Sequence, residues 1–271
     1  MKNFSTLLFL FLALVFISCE TEVDLDLEQS KPVLAVEAIV TDQINMNYVQ
    51  LNMSAPYAKN VEPAAVTSAQ VTLTDNAGTS TSFLHDAYGT YKPTTDFKGV
   101  AGRTYTLIIQ ANSQTYTSTS VLNQAPTLDK VTYEYVDGKN DDYGREEGYY
   151  ITTAFQDIVG VRNYYKLNIW VNGQLKQQKS EDIMVTEDKL YDGAYLNDLK
   201  IFTPFKKNNQ LEVSLLSLTK EAFDFYSALS SLSSQGGFLG RNPANLPTNI
   251  SNGAVGFFSA SAVSTKSVII E

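Results

Sequence analysis

The stretch Val71-Thr72-Leu73-Thr74-Asp75-Asn76-Ala77-Gly78 contains the pattern that decides the fold of this chain. Val71 and Leu73 alternate with two threonines, and a period of two is typical of a β-strand with one buried face. The four residues that follow predict a tight turn, because Asp and Asn hydrogen-bond to nearby backbone and Gly accepts a positive φ. The segment therefore predicts antiparallel β-structure.

The same alternation of short strands and turns occurs on both sides of this segment. Further predicted strands are Val33 to Val40, whose apolar run indicates a buried central strand, Tyr48 to Met53, Ser82 to Leu84, the strand at Tyr91, Tyr105 to Gln110, and Tyr116 to Val121. About seven strands in about ninety residues are typical of one immunoglobulin-like or prealbumin-like sandwich. We assign this N-terminal β-sandwich to residues 31–123.

A second β-rich domain is predicted over residues 126–271. Its boundary falls at Gln124-Ala125-Pro126, because proline interrupts a strand ladder and the composition becomes more acidic after it. The predicted strands are Lys130 to Val136, Tyr149 to Gln156, Asn163 to Val171, Glu212 to Leu218 and Ala254 to Ala262. Asn172-Gly173 is typical of a tight hairpin turn. The expected fold class is mostly β, with two antiparallel sandwiches.

One amphipathic helix is predicted in the second domain, at about residues 219–233. Thr219 can cap its first turn, and Glu221 complements the positive end of the helix dipole. The apolar residues at helical spacing are Ala222, Phe225, Tyr226, Leu229 and Leu232. Gly236-Gly237 is expected to end the helix.

Aromatic and apolar side chains form a candidate binding site in this domain. In the strand from Tyr164 to Val171, Tyr164 and Trp170 share the polar face with Lys166 and Asn168. Exposed, the two aromatic rings can stack on a sugar or anchor a protein partner; alternatively, the helix covers them. Phe238 and Leu239, in the connection 238–253, contribute to binding or plug the end of the sandwich.

The amino terminus predicts export and lipid anchoring. Residues 1–18 combine Lys2 with an apolar stretch and place Ser18 directly before Cys19, the single cysteine of the chain. This pattern is typical of a cleaved signal peptide, and the apolar stretch is shorter than the about 20 residues that cross a bilayer. It resembles a bacterial lipoprotein signal in which Cys19 is acylated. An ordinary signal peptide is the alternative.

An acidic linker, residues 19–30, follows the cysteine. Glu20, Glu22 and Asp24 resemble the tag that directs Bacteroidota lipoproteins to the outer face of the outer membrane. A solvated linker is the alternative interpretation of these charges. We expect a protein anchored to the outer membrane by acyl chains on Cys19, with surface display favoured over the periplasmic face.

Charge and motif content favour a protein that is not an enzyme. With 29 acidic and 20 basic residues the net charge is −9, which disfavours nucleic-acid binding through the overall field. His85 is the only histidine, and beside Asp86 it is expected at the surface. The sequence contains no phosphate loop and no nucleophile elbow, so no catalytic residue and no cofactor is predicted.

The acidic loop from Asp137 to Glu147 is a candidate calcium site. Asp137, Asp141 and Asp142 offer oxygen ligands, but their spacing does not match the EF-hand series. A solvated loop is the favoured interpretation, and no metal is predicted.

Several short motifs occur in one order over nearly all of the chain after Cys19. They are Val33-Leu34-Ala35-Val36-Glu37-Ala38-Ile39-Val40-Thr41-Asp42, Val71-Thr72-Leu73-Thr74-Asp75, Gly102-Arg103-Thr104-Tyr105-Thr106-Leu107, Asn163-Tyr164-Tyr165-Lys166-Leu167, Glu221-Ala222-Phe223-Asp224-Phe225-Tyr226, Asn242-Pro243-Ala244-Asn245-Leu246-Pro247-Thr248-Asn249-Ile250 and Gly253-Ala254-Val255-Gly256-Phe257-Phe258. This order is similar to that of the DUF4249 family of Bacteroidota lipoproteins. The family has no established biochemical activity, so the resemblance transfers no catalytic or ligand-contacting residue.

The resemblance implies a partner more than a reaction, because members look like accessory lipoproteins of TonB-dependent outer-membrane receptors. We therefore expect a non-enzymatic accessory protein of a TonB-dependent transporter in nutrient uptake. Two alternatives remain: a stand-alone surface module that binds an oligosaccharide or peptide, and a structural or adhesive surface subunit.

Overall fold

The fold is built from sixteen β-strands and one α-helix in the part of the chain that the structure describes. The structure is a computed structural model, and it describes residues 31–55, 62–139, 141, 144–176, 182–232 and 246–271. Within these residues no helix is both long enough and apolar enough to span a membrane.

Eight strands form the first sheet. They are β1 (Leu34–Thr41), β2 (Tyr48–Met53), β3 (Gln70–Asp75), β4 (Ser80–Ala87), β5 (Thr90–Pro93), β6 (Thr104–Ala111), β7 (Gln114–Val121) and, from the far end of the chain, β15 (Val255–Ser261). Their order across the sheet is β15-β1-β2-β5-β4-β3-β6-β7. The predicted strands of this region are thus confirmed as β-structure, with β1 in a central position.

The predicted turn after β3 is held by the side chain of Asp75. Its Oδ1 accepts hydrogen bonds from the backbone N–H of Ala77 at 3.0 Å and of Thr79 at 2.8 Å. Gly78 has a φ of +85°, which a residue without Cβ adopts at no steric cost. Because the turn is fixed locally, Val71 and Leu73 both face the core, where each is at most 2 % exposed.

The first sheet folds over on itself until its two edge strands meet, which gives a sandwich-like arrangement. Ala260 N–H in β15 donates to Ser120 Oγ in β7 at 3.0 Å, and Ser261 forms a parallel bridge with Asn123. The enclosed core contains Leu34, Val36, Val49, Leu51, Val71, Leu73, Phe83, Tyr91, Tyr105, Leu107, Ile109, Leu122 and Phe258, among others.

Strand β15 lies parallel to β1, although it comes from the range assigned by sequence to the second domain. Gly256 permits this pairing, because a Cβ at that position would lie 1.9 Å from the backbone oxygen of Val36. The strand is buried on both faces: Phe258 enters the first core and Phe257 packs in the cluster around the helix. The described chain from Pro32 to Glu271 is accordingly one compact unit.

Two further sheets pack face to face as a second sandwich. The strand order of one sheet is β11 (Gln174–Leu175), β10 (Tyr164–Val171), β14 (Gln210–Leu218) and β16 (Val263–Ile269), and β12 (Met184–Glu187) also pairs with β10. The strand order of the other sheet is β13 (Tyr195–Phe205), β9 (Gly148–Gln156) and β8 (Leu128–Val136). Their shared core includes Leu128, Ile151, Phe155, Tyr165, Leu167, Ile169, Ile201, Phe205, Leu211, Val213 and Leu215. The hairpin at Asn172-Gly173 is confirmed, with positive φ at both residues.

Helix α1 (Lys220–Ser231) packs between the second sandwich and β15. Its N-cap is Thr219, as predicted, whose hydroxyl accepts from Ala222 N–H at 3.2 Å. Phe225 stacks on Phe257 with ring centroids 4.9 Å apart. The aromatic side chains of α1 pack against β15 of the first sheet and β10 of the second sandwich. This packing explains why a helix of only twelve residues is stable here.

Candidate functional site

The structure does not bring the two predicted aromatic residues of β10 together. Tyr164 and Trp170 lie on one face of the strand but six residues apart, which at about 3.3 Å per residue is roughly 20 Å. Tyr164 packs against Phe223 of α1, with ring centroids 5.1 Å apart. The helix therefore covers Tyr164, which was one of the two alternatives, and a paired stacking platform does not form.

Trp170 lies at the other end of the strand, opposite Glu212 and Leu175 of the neighbouring strands. Its ring is half-buried, and its Nε1 has no hydrogen-bond partner among the described residues.

Between these two residues the face that they share is buried. Lys166 is 5 % exposed and Asn168 is 6 % exposed. Helix α1 and β12 cover this region, and Tyr226 of α1 faces the Lys166 ammonium. The exposed alternative for this part of the face was wrong, because sequence alternation shows which side chains share a face but not what packs on it.

The acidic loop after β8 uses its carboxylates internally where the structure describes it. Both oxygens of Asp141 accept hydrogen bonds from Arg145, from the backbone N–H at 2.8 Å and from the guanidinium at 2.8 and 3.1 Å. Asp137 Oδ1 accepts from Lys139 N–H at 3.1 Å. The guanidinium of Arg145 thus compensates the negative charge of Asp141, in the place where a bound cation would do so.

Several predicted site residues lie outside the described residues. They are Cys19, Glu20, Glu22 and Asp24 at the amino terminus, Asp142 in the acidic loop, and Phe238 and Leu239 in the long connection. His85 is described: it is exposed, its Nε2 accepts from Gly89 N–H at 3.3 Å, and its ring meets the edge of Tyr91.

The structure places a cluster of three aspartates at one end of the second sandwich, where sequence analysis predicted no site. Asp157 follows β9, Asp188 follows β12, and Asp192 lies in the turn before β13. One carboxylate oxygen of each lies within 4.8 Å of those of the other two. Asp157 and Asp188 are buried, whereas Asp192 is exposed.

These aspartates lock two loops together, and we call residues 157–163 and 188–194 the paired loops. Asp157 Oδ2 accepts from Gly193 N–H at 2.8 Å, and Asp192 Oδ1 accepts from Gly160 N–H at 2.8 Å. Asp188 Oδ2 accepts from Asn163 N–H at 2.9 Å. Each loop therefore holds the other through carboxylate–amide hydrogen bonds, which are stronger than those between neutral groups.

Close packing adds to these hydrogen bonds. A Cβ on Gly193, whose φ is +67°, would lie 2.8 Å from two side-chain atoms of Val159. Beneath the paired loops the hydroxyl of Tyr165 donates to Asp157 Oδ1 at 2.6 Å. Burial, together with this hydrogen bond to a carboxylate, raises the pKa of Tyr165, so the phenol stays protonated and remains a donor.

Three apolar side chains stand exposed on the paired loops. Val159 is 75 %, Val161 56 % and Leu190 92 % exposed. Exposed apolar residues scattered singly are ordinary, but these three stand on two loops that hold each other in place. Fixed loops lose little conformational entropy when a partner covers them.

The model of the family described as "Domain of unknown function (DUF4249)" matches residues 20–267 of this chain. The chain belongs to the DUF4249 family. A search of curated proteins found no match. Among solved structures, a two-fibronectin-type-III-domain segment of chicken tenascin is similar over 69 % of this chain and 91 % of that chain, at 14 % identity and a TM-score of 0.21. So low a TM-score carries no conclusion about this chain.

In this DUF4249 protein the carboxylates of the paired loops take part in hydrogen bonds and an ion pair. The three carboxylates face amide and phenol donors. Arg162 forms ion pairs beside them, with its Nε 3.5 Å from Asp188 Oδ1 and its Nη1 4.0 Å from Glu187 Oε2. One signal could have found the cluster: Asp188 and Asp192 are four residues apart, with Gly193 directly after them, in a segment between two strands. The third member, Asp157, is far away in sequence, and its proximity depends on the pairing of β9 with β13.

Proposed function

We propose that this DUF4249 protein is a non-enzymatic lipoprotein of the outer membrane that docks onto a TonB-dependent transporter and assists nutrient uptake. The docking surface is the apolar surface of the paired loops, formed by Val159, Val161 and Leu190. Acyl chains on Cys19 hold the protein at the membrane, more consistent with surface display than with the periplasmic face, so that the partner is met in the plane of the bilayer.

The exposed side chains of the paired loops are the observation that carries this proposal. Covering a valine or leucine contributes about 1.5–3 kcal/mol when burial is complete. The hydrogen bonds from Gly160 and Gly193 fix both loops before a partner arrives. Interfaces obtain much of their affinity from a few buried anchors of this kind, surrounded by polar groups.

The absence of enzymatic activity is part of the proposal, and His85 supports it. The partners of His85 in the described residues are a backbone amide and the Tyr91 ring, so it activates no nucleophile there. Its neighbour Asp86 forms an ion pair with Lys92, with both side chains at least half exposed. Neither arrangement resembles the base and orienting acid of a hydrolase.

Co-purification from the native membrane tests the proposal. The acylated protein is extracted in mild detergent, and the proteins retained with it are identified and quantified by mass spectrometry. We expect a TonB-dependent receptor in near-stoichiometric amount with the unmodified protein. A Val159→Ser/Leu190→Ser double variant is expected to lose most of it.

Leu84→Ser is the matched control, because Leu84 is 63 % exposed on β4, away from the paired loops. It should retain the receptor. Recovery of the lipoprotein alone, or equal loss of receptor from Leu84→Ser, would contradict docking through the paired loops. A Cys19→Ala form tests the contribution of the lipid anchor, because it leaves the paired loops unchanged. If this form recovers less receptor, the loss is due to the missing membrane anchor.

A further inference from the structure

We infer that the three aspartates of the paired loops form a binding site for one calcium ion. The inference concerns Asp157, Asp188 and Asp192, and it does not depend on the proposed docking function, because ion binding is measured without a partner. It also differs in place from the acidic loop at residues 137–147.

The first reason is geometry. One oxygen from each carboxylate lies within 4.8 Å of the others. Calcium binds oxygen at about 2.3–2.6 Å, so two ligands on opposite sides of one ion are about 5 Å apart. The three carboxylate oxygens are therefore close enough together to serve as ligands of one calcium ion.

The second reason is a buried oxygen without a donor. Asp188 is fully buried, its Oδ2 accepts from Asn163 N–H, and its Oδ1 has no hydrogen-bond partner among the described residues. The Arg162 guanidinium lies at ion-pair distance, 3.5 Å, but its side chain is 47 % exposed. A buried carboxylate oxygen left without a hydrogen bond costs free energy, and coordination to a cation relieves that cost.

The third reason is charge. In the described residues Asp157 and Asp192 have no ion pair, and Arg162 supplies the single positive charge that pairs with Asp188. Arg162 is shared with Glu187, whose Oε2 lies 4.0 Å from its Nη1, so the three aspartates retain at least two negative charges, which a divalent cation neutralises. Carboxylate oxygens are the ligands that calcium prefers, and each retains lone pairs beyond the hydrogen bond that it accepts.

Isothermal titration and thermal unfolding with CaCl₂ test the inference on the acylated full-length protein, after removal of ions with a chelator. We expect one bound ion per chain and, at about 100 times Kd, a rise in Tm of about 5 °C or more. Asp188→Asn and Asp192→Asn are each expected to weaken binding at least about tenfold, because each removes a charged ligand. Asp137→Asn is the matched control and should bind as the unmodified protein does.

Two outcomes would overturn the site. One is an unmodified protein that shows neither heat nor a shift in Tm with calcium. The other is an ion lost from Asp137→Asn but retained in Asp192→Asn, which would place it in the acidic loop. If Asp188→Asn does not fold, Tb³⁺ luminescence of the unmodified protein tests the site instead. Tyr165, bonded to Asp157, should sensitise Tb³⁺ emission, and calcium should displace it; unsensitised or undisplaced Tb³⁺ would contradict the inference.

Discussion

The Nζ of Lys166 in β10 lies 4.1 Å from the centre of the Tyr226 ring in α1. The strand and the helix thus meet through a buried cation–π contact. Burial lowers the pKa of Lys166 to about 8, and the charge of Glu37 on β1 acts in the opposite direction. This position joins residues from the first sheet, the second sandwich and the helix.

Replacing Lys166 should raise the free energy of unfolding at neutral pH and remove part of its dependence on pH. In the unfolded chain the lysine pKa is near 10.5, so the unfolded state binds more protons above pH 8 and the free energy of unfolding rises with pH. Between pH 8 and 9.5 this lysine alone should contribute a rise of about 1–2 kcal/mol. In Lys166→Met it should be absent. Urea unfolding at both pH values measures it.

Lys220→Met is the control for this experiment, because Lys220 lies on the exposed side of α1 and pairs with Asp224. It should keep the dependence on pH. A Lys166→Met variant with an unchanged pH profile would show that this ammonium is hydrated in the folded protein.

Removing the helix cap should destabilise the junction between α1, β10 and β15. Thr219→Ala removes the acceptor for Ala222 N–H and should lower the free energy of unfolding by about 1 kcal/mol. Thr219→Ser keeps a hydroxyl and should restore most of the loss. Denaturant midpoints of the three proteins provide the comparison; equal midpoints for Ala and Thr would show that the cap contributes nothing measurable.

Alanine substitutions at Gly253 and Gly256 distinguish the cost of backbone strain from the cost of a steric collision. Gly253 and Gly256 both have positive φ, but a Cβ on Gly253 meets nothing within 4 Å, whereas one on Gly256 collides with Val36 O. Gly253→Ala should cost about 1 kcal/mol, and Gly256→Ala several times more, because β15 must separate from β1. Thermal unfolding of both variants measures the difference, and similar Tm values would argue against close pairing of these strands.

Acid should weaken the turn that follows β3. Burial acts to raise the pKa of Asp75, but hydrogen bonds from Thr79 and Ala77 and the Arg103 guanidinium outweigh it and hold this pKa below its usual value. Stability from this carboxylate is present above the unfolded pKa and is lost as pH falls through the folded one. Asp75→Asn should therefore reduce the loss of stability in acid. If the charge of Asp75 contributed nothing, Asp75→Asn would lose stability in acid to the same extent as the unmodified protein.

The strands and the helix were predictable because their signals are local. The alternation at Val71 and Leu73, the Asn172-Gly173 hairpin and the Thr219 cap each lie within a few residues and act at that range. Strand β13 was not predicted. Its sequence, Tyr195 to Phe205, mixes lysine, aspartate and proline, and its pairing with β9 contains register shifts.

The long-range arrangement was not predictable from the same signals. Nothing near Val255 shows that β15 pairs with β1 and not with its neighbours in sequence. The need for glycine at position 256, where a Cβ would collide with the backbone oxygen of Val36, is evident only from the folded structure. The aspartate cluster also depends on long-range packing, since the three strands β10, β11 and β12 lie between Asp157 and Asp188 in the sequence. Burial of Lys166 depends on a helix that starts more than fifty residues later.

Site-specific photocrosslinking in the native membrane tests the central claim most directly. A photoreactive residue at position 190, on the paired loops, should crosslink to a TonB-dependent receptor, identified by mass spectrometry of the adduct. The same residue at position 84 should give no such adduct. Crosslinking at position 84 but not at 190, or no receptor adduct at 190 while the protein is correctly anchored, would contradict docking through the paired loops.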